Sequence, residues 1–202
     1  RPVIEGLRAA GTGAISIDTR KAAVAEAAVA AGADLVNDVA GLTFDPALAP
    51  FCAARNLPVC VMHAQGDPAT MQRDPQYENV LLDVYDYLAG RITALEAEGI
   101  ARHNIIADPG IGFGKTLEHN LTLLANLSLF HSLGVPILLG ASRKRFIGTI
   151  GGGAAGEDRA PGSIAVALAA LSHGVQVLRV HDVAQTIQSI SLYRAALTGK
   201  QL

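Results

Sequence analysis

Charge is scarce in this sequence. Of its 202 residues, 17% are charged, and they sum to a net charge of −2. A balance this close to neutral provides neither a basic groove for nucleic acid nor a basic face for an anionic membrane. Cysteine is nearly absent as well. Cys52 and Cys60 are the two present, and they form no metal or redox motif. They are expected to be buried, reduced thiols in a cytoplasmic protein. No apolar run approaches the roughly 18 residues that a membrane span needs. The opening "RPVIEGLRAAG" has an amphipathic helical pattern rather than the shape of a signal peptide. Apolar residues, by contrast, make up 50% of the chain. They suffice for one well-filled core, and a single domain over residues 1–202 is the expectation.

Six short apolar runs alternate with longer helical patterns, and each run closes on a polar residue. The runs are Ala14–Asp18, Asp34–Asp38, Val59–His63, Asn104–Asp108, Pro136–Ser142 and Val177–His181. Short runs rich in Val, Ile and Leu suit parallel strands covered on both faces. The segments Lys21–Gly32, Tyr77–Ile100, Leu117–Gly134, Ser163–Gly174 and Asp182–Leu197 have the helical period, with Gly90 a weak point in the second. Unbroken alternation predicts an α/β fold with a parallel sheet. A closed (β/α)8 TIM barrel is favoured over an open sheet, because every strand ends in a reactive or polar group. A full barrel takes about 250 residues. These residues supply six of the eight strand–helix units, and the first helix pattern reads as the tail of a preceding one.

The run "DPGIGFGKT", Asp108–Thr116, ends as a nucleotide-binding P-loop does. A P-loop needs glycine where Pro109 stands, and proline has no N–H to offer a phosphate. Gly110, Gly112 and Gly114 also miss the dinucleotide fingerprint, being one residue too tight at the end. The glycines instead allow that loop's backbone to approach some other ligand closely.

Asp18, Asn37, Asp108, Lys144, Arg179 and His181 fall at or just past strand ends. Each has a plain structural reading. Asp18 could cap the next helix, Asn37, Asp38 and Asp108 could be turn residues, and Met62 and His63 could fill the core. Arg143, Lys144 and Arg145 could be a solvated charge run. Arg179 and His181 are predicted to share a strand face, where a buried arginine is costly unless it is used. Together the groups suit a flat heterocycle that donates paired N–H groups to carboxylates, beside cations that receive an anion such as a phosphate. Phe113 is read as an apolar wall at the loop tip.

The stretches "SIDTRKAAVAEAAVAAGADLVNDV", "VMHAQGDPATMQ", "DPGIGFGKTLEHNLTLL", "LLGASRKRFIG" and "VLRVHDV" resemble the dihydropteroate synthase family along essentially the whole chain. The resemblance implies a (β/α)8 barrel that joins p-aminobenzoate to 6-hydroxymethyl-7,8-dihydropterin pyrophosphate in folate biosynthesis. Carried over by motif, the pterin contacts are Asp18, Asn37, Met62, Asp108, Lys144 and Arg179. Phe113, Ser142, Arg143 and Lys144 surround p-aminobenzoate, and His181 and Arg179 hold the pyrophosphate. Asp18, Lys144, Arg179 and His181 are the catalytic set, and Lys115 is structural. The family further implies Mg²⁺, a cytoplasmic homodimer formed through the last helices, and sensitivity of the enzyme class to sulfonamides. Its metal-side asparagine and its Thr-Arg loop belong to an opening segment with no counterpart among these residues. The 202-residue polypeptide alone is therefore expected to be insoluble or inactive. Gly151–Ser163 is expected to be mobile, with Asp158-Arg159 meeting a partner subunit. Rival readings are a methyltetrahydrofolate methyltransferase domain, a Schiff-base aldolase using Lys144, and a non-catalytic pterin binder.

Overall fold

A computed structural model describes residues 1–66, 71, 73–153, 156 and 159–200. Asp158 lies outside them, so its expected partner contact has no structural counterpart here. The chain gathers into two compact units, the first being Arg1–Ala64, Leu82–Gly110 and Ser132–Pro136. The second is Gln65–Leu81, Ile111–His131 and Ile137–Leu202.

The first unit contains α1 (Pro2–Ala9), β1 (Ser16–Asp18), α2 (Ala22–Ala30), β2 (Leu35–Asp38), α3 (Leu48–Ala54), β3 (Val59–Met62) and β4 (Ile105–Asp108). Most of α4 (Val80–Ala97) belongs to it as well. Its strands form one parallel sheet in the order β1-β2-β3-β4. All four residues of β3 are buried, as expected of a strand covered on both faces. Val36, Leu48, Leu88, Ile92, Leu95 and Ile105 fill this core. α1 closes one end, where Ile4 packs with Ala28 and Ala33. Its Arg8 Nε donates to the Gly32 carbonyl at 2.7 Å, which ties the first helix to the C-terminal end of α2. α4 runs unbroken through Gly90, because the apolar stripe Val84, Leu88, Ile92 and Leu95 outweighs one poor helix former.

The second unit contains α5 (Leu117–Ala125), β5 (Leu138–Leu139), α6 (Arg145–Gly151), α7 (Ala160–Ser172), β6 (Val177–Leu178) and α8 (Val183–Thr198). β5 and β6 pair in parallel, Leu138 opposite Val177 and Leu139 opposite Leu178. Thr116 and His119 form a capping box at the start of α5. The long helix expected over Leu117–Gly134 stops at Ala125 and resumes as a 3₁₀ segment, Leu127–Leu133. The reason is local: Asn126 Nδ2 donates to the Thr122 carbonyl at 2.8 Å, competing with the helical ladder. Two short helices, α3 and α6, were not anticipated. Each has only seven residues, too few to display a period. No helix among the described residues is long and apolar enough to cross a membrane.

Cys52 and Cys60 are free and buried. Burial pushes the Cys52 thiol up to about 11, so it is protonated at neutral pH. Asp38 is fully buried, and burial raises its carboxyl above the ordinary range. It accepts from the N–H groups of Ala40 at 2.8 Å and Leu42 at 2.9 Å, closing the turn after β2. Leu42 adopts a φ of 58°, a conformation held by that bond. Replacing Asp38 with Ala strands the buried Leu42 N–H and the half-buried Ala40 N–H and is expected to lower the unfolding free energy by about 2 kcal/mol. Urea denaturation of the variant checks this.

Candidate active site

Each unit presents candidate residues at the carboxyl ends of its strands. In the first, Asp18 ends β1 and lies opposite Asn37 of β2 in register. The Asn37 carboxamide donates to Asp18 Oδ2 at 3.1 Å. Asp18 does not cap α2: the N-cap is Lys21, and the Ala22 N–H donates instead to Asp45 at 2.8 Å. Asn37 belongs to the strand rather than a turn, and the turn role falls to Asp38. Asp18 is exposed and Asn37 half-buried, so the pair forms an accessible carboxylate beside a carboxamide whose own dipole it orients.

Two strands away, Met62 and Asp108 are register partners at the ends of β3 and β4. Met62 is 2% exposed and Asp108 4%, so the core reading is correct for the position of Met62 and does not exclude contact at the strand end. Asp108 Oδ1 accepts from the Gly110 N–H at 2.7 Å, so one oxygen of this carboxylate closes the turn expected there. Gly110 has a φ of 70°, and a Cβ built on it would strike the carbonyl oxygen of His63. The glycine therefore serves close backbone packing at the foot of the loop. His63 is buried and meets the Tyr87 ring edge-on with centroids 4.9 Å apart.

In the second unit, the glycine loop is pinned from both sides. Asn120 Oδ1 accepts from the Gly112 N–H at 2.6 Å, and the Tyr77 hydroxyl donates to the Gly114 carbonyl at 2.7 Å. Lys115, only 3% exposed, donates to the Phe113 carbonyl at 3.0 Å, as befits a structural lysine. Lys144 Nζ donates to the Ile111 carbonyl and sits 4.2 Å from the centroid of the Phe113 ring. That cation–π contact orients the ring. A cavity of about 570 Å³ opens among Gly112, Phe113, Thr116, Lys144, Arg145 and Phe146. It offers two aromatic walls and two cations to a flat anionic ligand.

Ser142 and Arg143 engage the segment after β6. Ser142 Oγ lies 3.0 Å from His181 Nδ1, and the Arg143 guanidinium forms a two-point bond to Asp182, its Nε donating at 3.0 Å. β6 is shorter than expected and ends at Leu178. Arg179 and His181 consequently do not share a strand face. The Arg179 N–H still bonds to the Leu139 carbonyl at 3.0 Å, whereas the His181 N–H turns to Ser142 Oγ at 3.2 Å. Neither side chain carries a burial penalty, since both residues are exposed. Arg179 lines a groove of about 310 Å³ with residues of α8, apart from the Ser142–His181 contact.

Asp182 and Asn120 are organising residues that the sequence pattern left unmarked. The Thr116–His119 capping box marks the start of α5 but not Asn120, whose bond runs back to Gly112 in the glycine loop. Asp182 had no signal either, because its partner Arg143 is 39 positions away.

Residues 1–181 match the family described as pterin binding enzyme. The chain belongs to that family. It is 40% identical to dihydropteroate synthase of Escherichia coli (strain K12) over 200 residues, which is 99% of this chain and 70% of that protein. Dihydropteroate synthase from Stenotrophomonas maltophilia, solved with imidazole in its active site, superposes with a TM-score of 0.94 at 44% identity, over 98% of this chain and 75% of that one. The Xanthomonas albilineans enzyme in complex with 7,8-dihydropteroate gives 0.90 at 42% identity, over 98% and 72%. The fold class is thus the TIM barrel of the dihydropteroate synthases, with six strand–helix units in this chain. Measured against its family, the glycine run has nothing to do with a nucleotide P-loop.

The hydrogen bond from Arg143 holds the Asp182 carboxyl below the ordinary carboxylate range. The stability this contributes is complete above the unfolded value of about 3.9 and is lost as pH falls through the lowered folded value. Asp182→Asn is therefore expected to lower the urea midpoint at about pH 7, with the difference from wild type shrinking as pH falls below the ordinary aspartate range. Denaturation midpoints across that range check it.

Proposed function

We infer that this chain is the catalytic barrel of a dihydropteroate synthase. It condenses 6-hydroxymethyl-7,8-dihydropterin pyrophosphate with p-aminobenzoate, transferring the pterin methylene group and releasing pyrophosphate. The observation that carries the reading is the bonded Asp18–Asn37 pair, with Met62 and Asp108 aligned two strands away, at one edge of one sheet. By resemblance those positions match the family's pterin contacts, and the chain is 40% identical to a dihydropteroate synthase.

In this reading the Asp108 carboxylate, placed at the strand end where its Oδ1 meets the Gly110 N–H, accepts from the amino-amide edge of the pterin. Two parallel charge-assisted bonds to that edge fix the ring in its plane. Met62 supplies the apolar floor. Asp18 carries a negative charge that stabilises the positive charge spread over the ring as the methylene carbon–oxygen bond breaks. Asn37 holds that carboxylate in place. Arg179 and His181, carried over from the family resemblance, are the cations proposed to receive the departing pyrophosphate. The amine of p-aminobenzoate then attacks the methylene carbon and loses a proton. No strong base is required, because an aniline nitrogen becomes acidic once it has alkylated.

Phe113 and Phe146 wall the 570 Å³ cavity, which is wide enough for the benzoate ring. Lys144 is already oriented over Phe113 and supplies charge for the carboxylate. Ser142 and Arg143, expected around p-aminobenzoate, do not line this cavity, their side chains being engaged with His181 and Asp182. Mg²⁺ belongs to the proposal as a counter-ion of the pyrophosphate. Among the described residues no group of three or more His, Cys, Asp or Glu could hold a metal ion, and no step above runs through one. A cytoplasmic, homodimeric, sulfonamide-sensitive enzyme completes the reading. The exposed Ile187, Leu192 and Leu197 of α8 support a subunit contact there. The cations at Lys144, Arg179 and His181 favour this reaction over methyl transfer from a folate, which has no pyrophosphate to hold.

Two measurements test the proposal in the protein that carries this chain. Pyrophosphate release should depend on p-aminobenzoate, and its absence with both substrates bound would leave only a pterin binder. Asp108→Ala should weaken pterin binding by about 100-fold or more, because two donors of the ring lose a charged acceptor. Calorimetric titration with the pterin alcohol reads that loss, and an unchanged affinity would remove Asp108 from the pterin site.

A further inference from the structure

Two consecutive residues after β5 hold two consecutive residues after β6. Ser142 meets His181, and Arg143 meets Asp182. The first of these segments is itself firmly built. Arg143 adopts a φ of 58°, in the left-handed region that side chains avoid. Its N–H donates to Ser163 Oγ at 2.8 Å, and its carbonyl accepts from Arg159 at 3.2 Å. Ser142 is 8% exposed and so has little access to water.

The hydrogen-bond arithmetic at Ser142 has one solution. A serine hydroxyl owns one hydrogen and two lone pairs. Ser142 Oγ accepts from the backbone N–H of His181 at 3.2 Å, a group that can only donate. Its other contact among the described residues is His181 Nδ1 at 3.0 Å. If Nδ1 carried a hydrogen, Oγ would accept twice and its own hydrogen would have no acceptor among the described residues. If Nδ1 is bare, that hydrogen goes to Nδ1 and every group is satisfied.

We infer that Ser142 is a positioning residue that fixes neutral His181 as its Nε2–H tautomer. The exposed ring then offers a donor, and no lone pair, to the incoming anion. This inference rests on the reading of His181 as a pyrophosphate ligand and deepens it. His181 grips a diphosphate oxygen by hydrogen bond even when uncharged, and it does not serve as a proton acceptor at Nε2. The ester is held for departure without a competing base beside it. Arg143 and Asp182 contribute by locking the two segments together one residue further on, so that the Ser142–His181 alignment survives in the absence of ligand.

The intact protein carrying this chain, labelled with ¹⁵N, tests the inference. Two-bond ¹H–¹⁵N spectra of its imidazoles are recorded at a pH where histidine is neutral, with the His181 signals identified by their loss in His181→Ala. Wild type should show a pyridine-like Nδ1 and a pyrrole-like Nε2 in a single tautomer. Ser142→Thr keeps the hydroxyl and should keep that signature. Ser142→Ala should yield averaged shifts from a mixture, and binding of inorganic pyrophosphate, read by calorimetry, should weaken about 3–10-fold. A pyrrole-like Nδ1 in wild type overturns the assignment, and so does an unchanged signature in Ser142→Ala. The His181→Ala protein separates the two ideas: if it binds pyrophosphate as wild type does, the ligand role of His181 fails, whatever tautomer Ser142 imposes.

Discussion

A parallel strand covered on both faces can place a polar side chain only at its end. β3 shows the constraint plainly, since Val59, Cys60, Val61 and Met62 are all essentially out of contact with solvent. A carboxylate in the middle of such a strand would lose its hydration with nothing in return. The carboxyl end is different. There the ladder is finishing, backbone N–H groups of the following turn are available, and a ligand can approach. Asp108 occupies that position on β4 and Asn37 lies near the end of the half-covered β2, while Asp18 ends the more exposed β1 beside it. The chemistry proposed for the protein gathers at the strand ends, where a parallel sheet tolerates charge.

Polar residues at these ends divide into those that face a ligand and those that hold them in place. Asp38 and Asn37 are neighbours with opposite jobs. Asp38 points into the protein and ties down the next turn, and Asn37 steadies the carboxylate of Asp18. The same division recurs in the second unit. Asn120 and Lys115 shape the glycine loop from within, and Lys144 stands over Phe113 at its tip. Ser142 and Asp182 secure His181 and Arg143. A side chain placed on satisfied backbone groups loses little further freedom when a ligand arrives, which is what preorganised electrostatics requires.

The alternation of apolar runs and helical periods was legible, and so were the strand positions, because a strand buried on both faces leaves an uninterrupted apolar word in the sequence. Boundaries were less legible where the ladder was short. β5 and β6 pair over two residues each, although their apolar runs are longer. The helix after the glycine loop breaks at Asn126 for a side-chain reason that no periodicity records. At the candidate site, residue types at strand ends were legible from spacing and from the family's motifs. Their partners were not: Arg143 and Asp182 lie 39 positions apart, and nothing in either neighbourhood marks the other.

By itself the sequence determined the fold class, the family and the identities of the groups near a ligand, since those follow from local periodicity and from short motifs read in order. Only the tertiary structure decided which polar group does which work. It made Asp38 rather than Asn37 the turn residue, moved Arg179 and His181 off the strand into solvent, and turned Ser142 toward a histidine. The physical reason is that a hydrogen bond depends on where two groups meet in space, and chain neighbours carry no record of partners brought in from a distant segment.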